Sequence, residues 1–199
     1  MMTFTNDGAT MVQNYDLDNA LASLRAGGLI LFPTDTVWCV GCDASNQVAI
    51  ERLRQLRQLP ADAALEVLVS SLDMLRSHVQ HLHPRLETLL IYHVRPLTVI
   101  YDKGRNLPKE ALSKEGRIAI RLVQDNYCRD LVDLLGSPIA AVEADKRNGF
   151  FPLNFGSISS DVIEEVDYVS KYRRRETVAG QPSVMVKLSR KDELVFLRE

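Results

Sequence analysis

The fold of the chain depends on the stretch Leu29-Ile30-Leu31-Phe32-Pro33-Thr34-Asp35-Thr36-Val37-Trp38-Cys39-Val40-Gly41-Cys42-Asp43-Ala44. Its four leading apolar residues predict a buried strand that ends at Pro33. The segment Thr34 to Thr36 then offers hydroxyl and carboxylate groups beside an apolar run, a pattern typical of a binding site. A second interpretation is a turn whose side chains bond their own backbone.

Length and composition predict one ordinary domain. The chain has 199 residues, of which 46% are apolar and 25% charged, and its formal net charge is -2. We expect a single domain over residues 1–199, with residues 1–14 as a flexible leader. The charge gives no argument for nucleic acid, and no apolar run reaches the about 18 to 20 residues of a membrane span. The residues MMTFTNDGAT lack the basic start and apolar core of a signal peptide, and an odd number of cysteines, three, indicates reduced thiols, so we expect a cytoplasmic protein.

Helical and strand patterns alternate along the chain, which predicts an α/β fold. We expect helices to start at Asp16, Asn46, Ser71, Pro84, Asp125 or Asn126, and Asp161, the last running to Val169. The helix near Asp125 is expected to bury Leu131, Leu134 and Leu135 and to end at Gly136. We expect strands at 29–32, 65–69, 96–101, 116–122 and 138–142, and a hairpin from 183–188 and 194–197.

The stretch from Phe32 to Ala44 resembles the signature of the YrdC-like family, the threonylcarbamoyl-AMP synthases. The matching pattern is Phe-Pro-Thr-Asp-Thr-Val, then an aromatic residue, two residues of any type and Gly-x-Asp-Ala, followed by a helix. The resemblance covers about Leu17 to Leu188. It implies a twisted mixed sheet flanked by helices, with a deep open groove. It also implies a nucleotidyltransferase that makes threonylcarbamoyl-AMP and pyrophosphate from L-threonine, bicarbonate and ATP with Mg, for the modification of a tRNA adenosine. Other tRNA-modification proteins are the partners that this function implies.

Several positions match residues that line the groove in the family. The resemblance implies that they bind substrate or nucleotide. These positions are Thr34, Thr36, Trp38, Arg57, Thr98, Arg121 and Ser183. The resemblance assigns no catalytic residue and no metal ligand. Each also has a structural interpretation. Thr98 is a β-branched strand residue, Arg121 could form a salt bridge at the rim, and Ser183 could start a strand.

Other family positions have changed, and the changes cluster. Where the family has Lys-x-Arg-Pro-x-Asp-Lys-Pro-Leu, this chain has Arg57 at the first cation but Leu59 and Ala63 at the other two. Where the family has Ser-x-Ser-Ala-Asn, it has Glu143 and Asp145 in place of a serine and an asparagine. A like charge near 4 Å costs about 1 kcal/mol in water and about 4 kcal/mol at an effective dielectric near 20. The alternative function is therefore a degenerate paralogue that keeps the groove but binds another ligand, RNA or a protein.

Two cations next to Glu143 and Asp145 allow more than one charge balance in that loop. Lys146 and Arg147 directly follow the two acids and could supply the missing charge, or the acids could hold a cation that holds phosphate. All four charges could instead neutralise one another on a solvated loop.

Zinc binding is a competing hypothesis, because Cys39 and Cys42 with His78, His81 and His83 supply suitable donors. Cys39 and Cys42 lie in a segment expected to be extended, where residues three apart point to opposite faces. This spacing disfavours a shared metal ion.

RNA binding is a third hypothesis, and it rests on Lys171-Tyr172-Arg173-Arg174-Arg175. An aromatic residue among cations is typical of a stacking surface for single strands. A short basic run on a chain of negative net charge is also typical of a solvated loop.

Overall fold

The computed structural model describes residues 7–60, 63, 65–145, 151–152, 154–177 and 181–199, with side chains from residue 16 onward. Its helices are α1 (Asp7–Arg25), α2 (Gln47–Leu56), α3 (Leu72–His78), α4 (Pro84–Tyr92), α5 (Asn126–Leu135) and α6 (Ser160–Glu165). Its strands are β1 (Ile30–Pro33), β2 (Trp38–Asp43), β3 (Glu66–Val69), β4 (Leu97–Tyr101), β5 (Ile118–Leu122), β6 (Ile139–Glu143), β7 (Tyr168–Val169), β8 (Val184–Leu188) and β9 (Leu194–Arg198). None of these helices is both long and apolar enough to cross a membrane.

All of these strands join one mixed sheet in the order β7-β1-β2-β6-β3-β5-β4-β8-β9. The pairs β1/β7, β3/β5 and β4/β8 are parallel, and the other neighbours are antiparallel. The predicted α/β class with a mixed sheet and flanking helices is confirmed.

Both faces of the central strands are buried, which explains their nearly continuous apolar sequences. Along β1, Leu31 points into the larger core cluster, whereas Ile30 and Phe32 point into the cluster beneath α1 and α5. Along β2, Trp38 belongs to the larger cluster and Cys39 to the other. The segment between β1 and β2 is thereby fixed at the end of two buried strands.

Capping residues set the helix boundaries that the sequence predicts. The side chains of Asn46, Ser71 and Asp125 each accept a backbone N–H at 3.1 Å from the residue three positions on. Pro84 stands in the first turn of α4, and Gly136 ends α5 in the left-handed region at φ 78°.

Three predicted details are wrong. Helix α1 begins at Asp7, and Asp16 lies fully buried within it instead of capping it. Helix α6 ends at Glu165 because the following residues pair with β1: the Asp167 and Ser170 N–H groups each donate to a β1-side carbonyl at 2.8 Å. Leu134 is 52% exposed, since α5 turns this residue away from the sheet.

Candidate functional site

Arg121 lies at the centre of a buried polar cluster on the sheet face that α1 and α5 cover in part. Its side chain is fully buried, and Nη1 donates to the Asp35 carboxylate and, at 2.8 Å, to Thr36 Oγ1. Nη2 lies 3.0 Å from Glu66 Oε2. Burial alone would lower the pKa of Arg121, but Glu66 and Asp35 raise it overall, so the guanidinium keeps its charge between two carboxylates.

The turn between β1 and β2 is closed by its own side chains. Thr34 Oγ1 donates to the Val37 carbonyl at 2.7 Å and accepts the Thr36 N–H at 3.2 Å and the Val37 N–H at 3.3 Å. Asp35 Oδ2 accepts the Gln124 N–H at 3.0 Å. The interpretation of this segment as a self-bonded turn is therefore confirmed, and the turn also aims Asp35 at Arg121.

Glu66 connects Arg121 to two further predicted residues. Glu66 Oε1 accepts from Thr98 Oγ1 and, at 3.3 Å, from Ser183 Oγ, while the two hydroxyls lie 2.5 Å apart. Arg198 donates from Nε to the Ser183 carbonyl at 2.7 Å and from Nη2 to Ser183 Oγ at 3.0 Å. The Glu66 carboxylate thus contacts Arg121 and both hydroxyls.

The structure brings together five of the predicted site residues, which are Thr34, Thr36, Thr98, Arg121 and Ser183. The predicted list lacks the two carboxylates that join them, Asp35 and Glu66. Glu66 carries a signal that could have revealed it, because it is a lone charge at the start of the apolar run Glu66 to Val69. Its side chain is 23% exposed, against 8% for Asp35 and none for Arg121. The cluster therefore presents mainly a carboxylate to solvent.

The other positions around the second strand and helix lie elsewhere. Trp38 is fully buried in the larger core cluster, where its ring lies 5.4 Å from that of Phe155. Leu59 packs against the same cluster, and the Ala63 carbonyl accepts from Arg54 Nη2 at 2.6 Å. These three residues take no part in the cluster around Arg121.

Arg57 is the half-buried C-cap residue of α2. Its side chain has no hydrogen bond or ion pair with any residue that the structure describes.

Glu143 shares a sheet face with Glu66. Register pairs Glu66 with Ala141, two residues before Glu143, and pairs Glu143 with Cys39. Burial raises the pKa of the Cys39 thiol, Arg121 lowers it, and Glu66 and Glu143 raise it further. Asp145 instead accepts the Ser159 N–H at 3.2 Å. The predicted contributions of Lys146 and Arg147 lie outside the described residues.

Cys39 and Cys42 belong to core clusters on opposite faces of the sheet, as their spacing predicts. Within the ranges described, no group of three or more His, Cys, Asp or Glu residues is placed to hold a metal ion. The zinc hypothesis therefore has no support among these residues.

Most side chains of the basic run 171–175 make contacts within the chain. Tyr172 stacks on Tyr127 with ring centroids 4.4 Å apart. Arg173 pairs with Asp125 at 2.9 Å, and Arg174 donates to the Ser170 carbonyl at 2.6 Å while lying 4.8 Å above the Phe155 ring. These contacts favour a structural role for the segment over a free RNA-stacking surface.

Comparisons with known proteins cover most of the chain. The profile of a family that comprises Sua5, YciO and YrdC, described as "Telomere recombination", matches residues 22–199. A threonylcarbamoyl-AMP synthase from Xanthomonas oryzae pv. oryzae is 31% identical over 177 residues, which is 83% of this chain and 95% of that protein.

Two solved structures have a similar fold. The fold of E. coli YciO matches with a TM-score of 0.77 at 23% identity, covering 94% of this chain and 89% of that one. The fold of P. abyssi Sua5 complexed with L-threonine matches with a TM-score of 0.77 at 22% identity and covers 92% of this chain. This chain spans only 53% of that Sua5.

Proposed function

The chain belongs to the Sua5/YciO/YrdC family, and from this premise we propose that it is a degenerate relative of the threonylcarbamoyl-AMP synthases. It keeps the family fold and the groove that this fold implies, but it does not join L-threonine, bicarbonate and ATP. A ligand other than a nucleotide occupies its groove.

The observation that carries this proposal is the position of Glu66. Its carboxylate uses the hydrogen-bonding capacity of Thr98 and Ser183 and neutralises part of the charge on Arg121. In a synthase these matched groups would have to meet a ligand. Here the two hydroxyls bond to Glu66 and Arg121 is ion-paired by Asp35 and Glu66, although Arg121 Nε and Nη2 make no hydrogen bond with a residue that the structure describes. The cluster therefore acts mainly as a polar core of the protein.

The charge on this sheet face supports the same conclusion. Arg121 is opposed by Asp35 and Glu66, with Glu143 close by, and the second cation at the cluster, Arg198, is bonded to Ser183. Triphosphate transfer needs cations and donors where negative charge develops. Leu59 and Ala63 supply neither, so the described residues do not fit ATP with Mg.

A second candidate is the synthase reaction itself. It is favoured by the named relative, which this chain matches over 95% of its length, and by the L-threonine bound to the related Sua5. RNA and the other tRNA-modification proteins would then be partners of this chain. The two candidates differ in one observable, which is threonine-dependent release of pyrophosphate.

We predict that the purified protein releases no pyrophosphate above the enzyme-free blank when it is given Mg-ATP, L-threonine and bicarbonate. The Xanthomonas oryzae relative, assayed beside it, serves as the positive control. Steady pyrophosphate release that needs both threonine and bicarbonate would overturn the proposal and establish the second candidate.

Restoring the lost charges tests the reason for inactivity. The variant Leu59→Arg/Ala63→Lys/Glu66→Gln/Glu143→Ser/Asp145→Asn is expected to gain threonine-dependent pyrophosphate release. The control is Asp130→Asn/Asp133→Asn, which removes two negative charges from the exposed side of α5 and is expected to stay inactive. An equal gain in both variants would show that net charge, not the site, limits the reaction.

A further inference from the structure

A cavity of about 390 Å³ lies apart from the polar cluster, between the start of α4, the end of β4 and the turn that joins β8 to β9. Its walls are tied to one another across the chain. Val79 and Gly104 form a β-bridge, and the Gln80 N–H donates to the Lys103 carbonyl at 3.3 Å. On the other side, Arg85 Nη1 donates to the Asp192 carbonyl at 2.7 Å. The cavity is therefore held open by contacts between distant segments.

Tyr101 lines this cavity and has an unusual hydroxyl group. The residue is only 5% exposed, and its hydroxyl oxygen is buried without a hydrogen-bond partner among the residues that the structure describes. Burial raises the pKa of Tyr101, so the hydroxyl keeps its proton and remains a donor. Buried donors in folded proteins nearly always have an acceptor, so this hydroxyl is an unsatisfied polar group in the cavity wall.

The rim of the cavity supplies further donors. Lys103 and Arg190 are exposed, and neither side chain makes an ion pair with a residue that the structure describes. His83 Nδ1 accepts the Arg85 N–H at 3.1 Å, so the neutral ring carries its proton on Nε2.

Carboxylates line the cavity as well, but they are partly engaged or exposed. Asp192 Oδ1 lies 3.9 Å from His83 Nε2, and Asp102 is exposed to solvent. Lys103 and Arg190 thus match the two acids in number, but Asp192 already faces His83 and neither cation is ion-paired with a described residue. The start of α4 adds the positive end of a helix dipole. The lining as a whole favours an acceptor-rich ligand.

We propose that this cavity binds a small organic anion. Its apolar body lies against Leu86 and Leu188, and its acidic group is held by Lys103 and Arg190. A second acceptor on the ligand reaches the Tyr101 hydroxyl when neighbouring side chains shift, because this oxygen is closed to solvent in the structure. This mixture of apolar wall and few polar groups is typical of small-molecule sites.

Anilinonaphthalene sulfonate, an aromatic anion that fluoresces in apolar surroundings, is a suitable probe. The wild-type protein is expected to bind it saturably, with one site per chain. Lys103→Ala/Arg190→Ala should weaken binding about tenfold, because two charge-assisted contacts are lost. The control Lys114→Ala/Arg175→Ala removes two exposed cations elsewhere and should leave the affinity unchanged.

Two more variants distinguish binding in this cavity from binding at a second apolar surface. Tyr101→Phe should weaken probe binding while leaving the melting temperature of the free protein unchanged or higher, because it deletes an unpartnered hydroxyl. Tyr92→Ser alters the apolar surface between α4 and Leu194, a competing site for the probe, and should not affect binding. Absence of saturable binding, or binding that responds to Tyr92→Ser but not to the Lys103/Arg190 pair, would overturn the proposal.

Discussion

Replacing Arg121 with methionine is expected to lower the free energy of unfolding by about 3–5 kcal/mol, as found when one partner of a buried charge pair is removed. The methionine fills similar space but leaves the Asp35 and Glu66 carboxylates without their cation. Urea unfolding followed by the fluorescence of the buried Trp38 measures the loss. Arg117→Met is the matched control, because Arg117 is an exposed arginine close to the start of the same strand, and it should change stability by no more than about 0.5 kcal/mol.

A rescue variant shows whether the loss comes from uncompensated charge. Asp35→Asn/Glu66→Gln added to Arg121→Met removes both carboxylates and keeps their shapes. We expect it to recover a large part of the lost stability, since replacing every member of a buried ionic group can be nearly neutral. If Arg121→Met alone proved as stable as the wild type, the cluster would not be a structural core. Arg121 would then be available to a ligand, and the proposed function would lose its main support.

Much of the architecture follows from local chemistry in the sequence. Asn46, Ser71 and Asp125 were predicted at helix starts and act as N-caps, and Gly136 was predicted at a helix end. These signals are readable because a cap acts on backbone groups within a few residues. The end of α6 was missed because it depends on pairing between β7 and β1, which are far apart in sequence.

In the candidate site, too, the sequence predicted individual residues but not the contacts between distant segments. The family pattern identified Thr98, Arg121 and Ser183, and the structure brings all three to one point. The pattern could not show that Glu66 would meet them, because this contact depends on the strand order β3-β5-β4-β8 and on the register of each pair. Trp38, also predicted to bind substrate or nucleotide, is directed by strand alternation into the core cluster on the sheet face opposite Arg121.

Asp16 is the second position where one substitution is expected to have a large effect. Its buried carboxylate accepts five hydrogen bonds. The Tyr168 hydroxyl and the Lys171 N–H donate to Oδ1 at 2.8 and 2.7 Å, and the Tyr127 hydroxyl, the Ser170 hydroxyl and the Tyr172 N–H donate to Oδ2 at 2.9, 2.6 and 3.2 Å. This one side chain therefore holds α1 and α5 to the segment that follows β7.

Asp16→Asn should lower the free energy of unfolding by about 3 kcal/mol, because the amide nitrogen turns a donor toward groups that are themselves donors. Amide hydrogen exchange at Lys171 and Tyr172 should accelerate more than elsewhere, since both N–H groups donate to Asp16. Asp18→Asn, an exposed position on the same helix, is the control and should leave both quantities unchanged.

The effect of Asp16 should also depend on pH in a defined direction. Burial alone would raise the pKa of Asp16, but the hydrogen bonds from Ser170, Lys171, Tyr168 and Tyr127 lower it below its ordinary value. A carboxyl whose folded pKa is depressed stabilises the protein above its unfolded pKa, about 3.9, and loses this contribution as the pH falls through the folded value. The stability difference between wild type and Asp16→Asn should thus be constant near neutral pH and shrink below about pH 4. A difference that instead grew on acidification would mean that Asp16 is protonated in the folded protein and donates a hydrogen bond.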